Sequence, residues 1–87
     1  MFVIVVYDTA VERNSRVLKI CRQYLHHVQR SVFEGNLSPA QLLRFRRSIE
    51  GVLDRTYDHV LIYTLPPGAD AVRQSLGSGW AAPSNII

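Results

Sequence analysis

Apolar residues follow three different rhythms along this chain, and each rhythm predicts an element. Phe2-Val3-Ile4-Val5-Val6-Tyr7 is an unbroken β-branched and aromatic run, the pattern of a central strand buried on both faces. Asp8 and Thr9 end it, and Thr9 with Glu12 has the spacing of a capping box for a following helix. Val17, Leu18, Cys21, Tyr24, Leu25 and Val28 then recur at steps of three and four. They predict one apolar helix face running to about Leu25. From His26 to Leu37 the character is extended, with Val28, Val32 and Phe33 among polar residues. This stretch reads either as one bent strand or as a tight hairpin turning near Arg30-Ser31, closed by Gly35-Asn36. Ser38, Pro39 and Gln41 announce a second helix, with Ser38 as cap, proline at the first helical position and glutamine completing the box. Its apolar stripe is Leu42, Phe45, Ile49, Val52 and Leu53. Asp58 to Leu65 is the last strand, and Pro66-Pro67-Gly68 ends it. Residues 69–76 suit a short helix, and Gly77-Ser78-Gly79 a flexible joint. Trp80, Ile86 and Ile87 are large apolar residues on the short tail beyond.

The order strand, helix, strand or hairpin, helix, strand predicts an α+β fold, a ferredoxin-like βαββαβ sandwich with an antiparallel sheet and two helices on one face. Residues 1–76 form that domain, and residues 77–87 form a C-terminal linker and tail. No helix remains to cover the second face of the sheet. A second subunit, packed sheet to sheet, would cover it.

Length strengthens that expectation. A chain of 87 residues is one domain, and at this size folding buries only about two thirds of the unfolded surface. Hydrophobic residues make up 47%, which excludes wholesale disorder. The net charge of +3 and pI near 9.5 favour an anionic partner without requiring one. The lone Cys21 can form no internal disulfide, so a reducing cytoplasmic setting is expected, with Cys21 as a small buried apolar residue. The first apolar run is too short for a signal peptide or a membrane span.

Catalytic motifs are scarce. There is no phosphate-binding glycine loop, no HExxH and no cysteine-histidine cluster. His26 and His27 are adjacent, so on a strand they face opposite ways and share a metal poorly. Ser31 has no evident base. Asp8 is the best candidate, because it ends a central strand, where sheets of this kind often place their sites. A carboxylate there suits Mg²⁺, which needs only one or two protein carboxylates; equally, Asp8 suits a cap or turn residue. One carboxylate is a thin site, but near a two-fold axis two copies of Asp8 would share one ion. Arg13, Arg16, Lys19 and Arg22 lie at steps of three on the first helix. They read either as a solvated helix surface or as a row of phosphate contacts.

Four segments together are similar to the CRISPR-associated protein 2 family: the strand from Phe2 to Asp8, the pair Arg16-Val17, the block Val28-Gln29-Arg30-Ser31-Val32-Phe33-Glu34-Gly35, and Asp58-His59-Val60-Leu61-Ile62-Tyr63. The similarity spans residues 1 to about 65, and the middle block is its most specific part. It implies a ferredoxin-like homodimer packed through its sheets, acting in spacer acquisition. It implies that the dimer bridges the CRISPR integrase and lies against a protospacer DNA duplex. It also implies, for some members, a metal-dependent endonuclease acting on single-stranded RNA or double-stranded DNA. Asp8 matches the family's metal-binding aspartate, and Tyr7, Arg16 and Phe33 match other positions implicated in activity. The family's C-terminal segment crosses to the partner subunit as an added strand, which residues 84–87 would supply here.

Two readings of function follow. In the first, a Mg²⁺-dependent endonuclease, the Asp8 pair holds the ion, Arg16 positions a phosphate with its guanidinium fork, and Tyr7 and Phe33 shape the site. In the second, a non-catalytic DNA-binding adaptor, Arg13, Arg16, Lys19 and Arg22, joined by Arg44 and Arg47, hold duplex phosphates with little sequence preference. A related toxin-type ribonuclease is a third reading, against which the Gln29 to Glu34 run argues.

Overall fold

The first apolar run becomes β1 (Phe2–Asp8), and the elements that follow are α1 (Val11–Tyr24), β2 (His26–Gln29), β3 (Val32–Asn36), α2 (Pro39–Glu50) and β4 (His59–Leu65). This computed structural model describes residues 1–66, 68 and 74–77. The strands form one sheet in the order β2-β3-β1-β4, with every neighbouring pair antiparallel. That is the ferredoxin-like arrangement predicted from the element order. The alternatives for residues 26–37 resolve as a hairpin. Arg30 takes a positive φ of 39° in its two-residue turn, as such tight turns require. The Nε2 of His27 lies 2.5 Å from the Arg30 carbonyl oxygen and braces the turn.

Both helices pack on one face of the sheet. Val3, Val5 and Phe33 meet Val17 and Cys21 of α1 and Phe45 and Ile49 of α2 in a single core. Tyr24 meets the edge of Phe45, ring centroids 5.6 Å apart. Each such large side chain, once fully buried, stabilises by about 1.5–3 kcal/mol. Cys21 is fully buried, and burial pushes its thiol up to about 12, so it behaves as the apolar residue the sequence suggested.

Two expectations need correction. The unbroken apolar run predicted two buried faces for β1, but burial alternates along it. Val3, Val5 and Tyr7 lie under the helices, whereas Phe2, Ile4 and Val6 are only half-buried on a face that no helix among the described residues covers. The run is apolar on both sides because both sides are apolar in character, not because this chain covers both. The second correction concerns the start of α1. Its cap residue is Ala10, with no side-chain cap hydrogen bond. Thr9 instead hydrogen-bonds to Asn14, and the amide of Ala10 donates to Asp58 Oδ1 at 2.9 Å. A residue 48 positions away thus binds the amide that leads into the helix. The second helix begins as its sequence predicted, with a capping box between Ser38 and Gln41 and proline in the first turn.

Of the short helix expected over residues 69–76, the described part is Gln74, Ser75 and Leu76, which carry no regular structure. Residues 78–87, with the strand expected at their end, lie outside the described residues, so the division at residue 76 is not addressed. No helix among the described residues is long and apolar enough to cross a membrane.

Candidate functional site at the end of the open sheet face

Side-chain alternation along β1 divides its residues between two very different surfaces. Asp8 shares the helix-free face with Phe2, Ile4 and Val6. Across the ladders this face continues through Val32 opposite Val6, Tyr63 opposite Ile4 and Leu61 opposite Val6. Leu61 and Tyr63 are 40% and 56% exposed. The result is an apolar surface over β1 and β4 on the open side of the sheet, bordered on β3 by Glu34 opposite Ile4 and Asn36 opposite Phe2, the kind of patch that marks an interaction site. Asp8 stands at its rim, exposed, and directly opposite His59 of β4. Among the described residues, no hydrogen bond or ion pair engages either side chain. Nor do the described residues contain a group of three or more metal-ligating side chains.

Other sequence-selected residues lie elsewhere. Tyr7 and Phe33 are on the opposite face, inside the core, at 8% and 0% exposure. Their rings lie 6.3 Å apart, and His27 stacks on Phe33 at 4.4 Å. Burial, with the nearby Cys21, raises the Tyr7 phenol above its ordinary value. Neither ring can touch a molecule on the open face; what they fix is the backbone that carries Asp8. Arg16, Lys19 and Arg22 are exposed on α1, in the helix layer rather than beside Asp8.

Arg13 does not belong with them. Its Nε and Nη2 donate to Asp58 at 2.5 and 3.0 Å, and its Nη1 lies 3.6 Å from Glu12. The Asp58 carboxylate also accepts from the amides of Ala10 and Asp54, each at 2.9 Å, and its side chain has no solvent exposure. Asp54 in turn accepts from the amide and hydroxyl of Thr56, which lowers its own carboxyl. Asp58 therefore ties the start of α1 and the turn before β4 together, one residue from His59. No local pattern announces such a tether, because its donors lie near residues 10, 13 and 54.

This tether gives stability a defined pH dependence. Hydrogen bonds from Arg13, aided by the two amides, outweigh burial and hold the Asp58 carboxyl well below the usual carboxylate range. A depressed folded value stabilises the fold above the unfolded value of about 3.9, and that stability is lost as pH falls from there through the lower folded value. Asp58→Asn is expected to lower Tm clearly at pH 7, and the gap to wild type should narrow steadily below about pH 4. A Tm series between neutral and acid pH checks this; a constant gap would deny Asp58 the role.

A cleft of about 310 Å³ lies between α2 and β4. Its apolar floor includes Ile49, Leu53, Val60 and Ile62, and its charged Arg55 lies 3.5 Å from Glu50. Val60 and Ile62 pair with Tyr7 and Val5, so the body of the cleft lies on the helix side of the sheet, and His59 stands at its border between the cleft and the strand end that carries Asp8.

Residues 1–71 match the family described as CRISPR associated protein Cas2. The chain belongs to the Cas2 family. Curated relatives agree with this assignment. A CRISPR-associated endoribonuclease Cas2 of Frankia alni is 56% identical over 63 residues, covering 72% of each chain. One of Methanosarcina acetivorans is 36% identical over the full length of both. Among solved structures, one described as the crystal structure of cas2 aligns with a TM-score of 0.81 at 41% identity, covering all of this chain and 98% of the other. Cas2 of Streptococcus pyogenes at pH 6.5 aligns with a TM-score of 0.70 at 28% identity, over 84% of this chain and all of that one. The Cas2 fold thus accounts for the sheet order, and the family likeness read from residues 28–35 falls on the hairpin whose β3 strand lies beside β1.

Proposed function

We propose that this chain is a homodimeric subunit of CRISPR adaptation with a metal-dependent endonuclease site at the Asp8 end of its sheet, working in a reducing cytoplasm. The observation that carries the proposal is the position of Asp8: an exposed carboxylate, unengaged among the described residues, at the rim of an apolar face that none of the described helices covers. Two such faces packed about a two-fold axis bury Ile4, Val6, Leu61 and Tyr63 and bring two copies of Asp8 toward each other. A pair of carboxylates fits Mg²⁺, which takes one or two of them and keeps its remaining positions for water and phosphate oxygens. When bound, the ion supplies charge neutralisation at the phosphodiester and a more acidic water. The protein's own part is to hold the carboxylates, exclude bulk water with the apolar surround, and fix β1 through the buried Tyr7 and Phe33. Relatives bearing the name endoribonuclease favour RNA as substrate, with duplex DNA as the second candidate.

The dimer is a condition of this site, which makes it a direct test. Ile4→Lys places a charge in the centre of the open face without entering the helix-side core. It is expected to convert the dimer to a monomer by light scattering after gel filtration, with loss of metal-dependent cleavage. A folded Ile4→Lys protein that stays dimeric, or a monomer that still cleaves, contradicts the proposal.

A second reading has its own support. Arg16, Lys19 and Arg22 on α1, and Arg44, Arg46 and Arg47 on α2, are all exposed. They suit a helix-layer surface that grips duplex phosphates while the chain serves as an adaptor bridging the CRISPR integrase. Arg13 is left out because Asp58 holds it. Each phosphate contact contributes about 0.9 to the slope of log affinity against log salt. Arg16→Ala, Lys19→Ala and Arg22→Ala together should therefore flatten that slope by roughly 2–3 units per subunit in contact, whereas Arg13→Ala should leave it nearly unchanged. A salt titration of duplex binding by fluorescence anisotropy measures both.

A further inference from the structure

We propose that His59 is a second protein ligand beside Asp8, so that the site selects a first-row divalent transition ion over Mg²⁺. The inference rests on the reading of Asp8 as a metal ligand and concerns what stands next to it. Asp8 and His59 are direct partners in the antiparallel β1–β4 ladder. Directly opposite residues project on the same face, with Cβ atoms about 4.5–5.5 Å apart. That spacing lets a carboxylate oxygen and an imidazole nitrogen converge on one ion about 2.0–2.2 Å from each. Both side chains are exposed, and among the described residues neither is engaged elsewhere. Among the described residues β4 is an edge strand of the sheet, and His59 is exposed at its start.

The chemistry of this pair differs from that of Asp8 alone. Mg²⁺ is a hard ion that prefers carboxylate and water oxygens, while imidazole nitrogen favours the transition ions. With the two-fold copy, the donors become two carboxylates and two imidazoles for one ion per dimer. His26 is the natural comparison. It also lies on the open face, opposite Glu34 on β3, but at the far edge of the sheet, with β3 and β1 between it and β4. It cannot join the Asp8 pair within one chain.

The test uses Mn²⁺ as probe and full-length protein, with folding of each variant checked by circular dichroism. Electron paramagnetic resonance of bound Mn²⁺ reports a coordinated nitrogen directly, and titration calorimetry gives the affinities of Mn²⁺ and Mg²⁺. Wild type is expected to bind one Mn²⁺ per dimer, more tightly than Mg²⁺, with nitrogen coupling in the spectrum. His59→Gln should lose that coupling and weaken Mn²⁺ binding by tenfold or more, so that the preference for Mn²⁺ over Mg²⁺ shrinks or disappears; His26→Gln should change nothing. If wild type shows no nitrogen coupling, or His59→Gln retains it, while Asp8→Asn still abolishes binding of both ions, the role of His59 is overturned and that of Asp8 stands. If Asp8→Asn leaves both affinities intact, the Asp8 site itself is wrong and this inference falls with it.

Discussion

Asp8→Asn is expected to reduce metal-dependent cleavage at least about 100-fold while leaving Tm and the dimer unchanged. Mutating outer groups that merely orient metal ligands already costs about 10–100-fold in affinity or activity, so loss of the carboxylate that would hold the ion should reach or exceed that range. Stability should be spared because Asp8 is exposed and, among the described residues, no hydrogen bond or ion pair depends on its charge. Asparagine keeps the shape of the side chain and the packing of the strand end. The measurement is the rate of cleavage of single-stranded RNA and of duplex DNA against divalent ion concentration, with thermal melts alongside. Cleavage at the wild-type rate by a folded Asp8→Asn protein would move the chemistry away from this strand end. A wild-type protein with no cleavage under any metal or pH would leave the adaptor reading in possession.

The second large effect is on stability, and it separates support from chemistry at Phe33. This ring is fully buried, lies opposite Val5 in the β1–β3 ladder, and touches the stacked ring of His27. Phe33→Ala should destabilise by about 3–5 kcal/mol. Domains of this kind have a total stability of roughly 5–15 kcal/mol, and each kcal/mol shifts Tm by about 4–8 °C at this size. A Tm loss of well over 10 °C is therefore expected. Phe33→Leu refills most of the volume and should retain both a cooperative melt and most of the cleavage rate. If Phe33→Leu is folded and melts normally but has lost cleavage as completely as Asp8→Asn, then the ring does more than hold β1 in place.

The two predictions divide residues that look alike in the sequence. Tyr7 and Asp8 are neighbours at one strand end, yet a two-residue period sends Tyr7 into the core and Asp8 to the open face. Arg13 and Arg16 lie one helical turn apart, and the sequence offers both to phosphates. Only the buried carboxylate of Asp58, delivered from the start of β4, removes Arg13 from that surface.

What the sequence determined by itself is largely what depends on near neighbours. Apolar periodicity specified β1, α1, α2 and β4 and left residues 26–37 open between one bent strand and the hairpin that strand pairing produces. Ser38, Pro39 and Gln41 specified the start of α2, because a capping box closes within four residues. The order of elements specified the ferredoxin-like sheet, and the residues around Ser31-Val32-Phe33-Glu34 pointed to the family. Asp8 stood out because it ends a central strand. Tertiary structure decided whatever depends on partners far apart in the chain. Ala10 replaces Thr9 as the helix cap because Asp58 reaches its amide. The unbroken run from Phe2 to Tyr7 divides into a buried face and an open apolar one because both helices pack on the same side. His59, undistinguished in the sequence, becomes the neighbour of Asp8 because the β1–β4 register aligns residues 51 positions apart. Local patterns record the preferences of the backbone over a few residues. Which side chains share a surface is settled only when the strands pair.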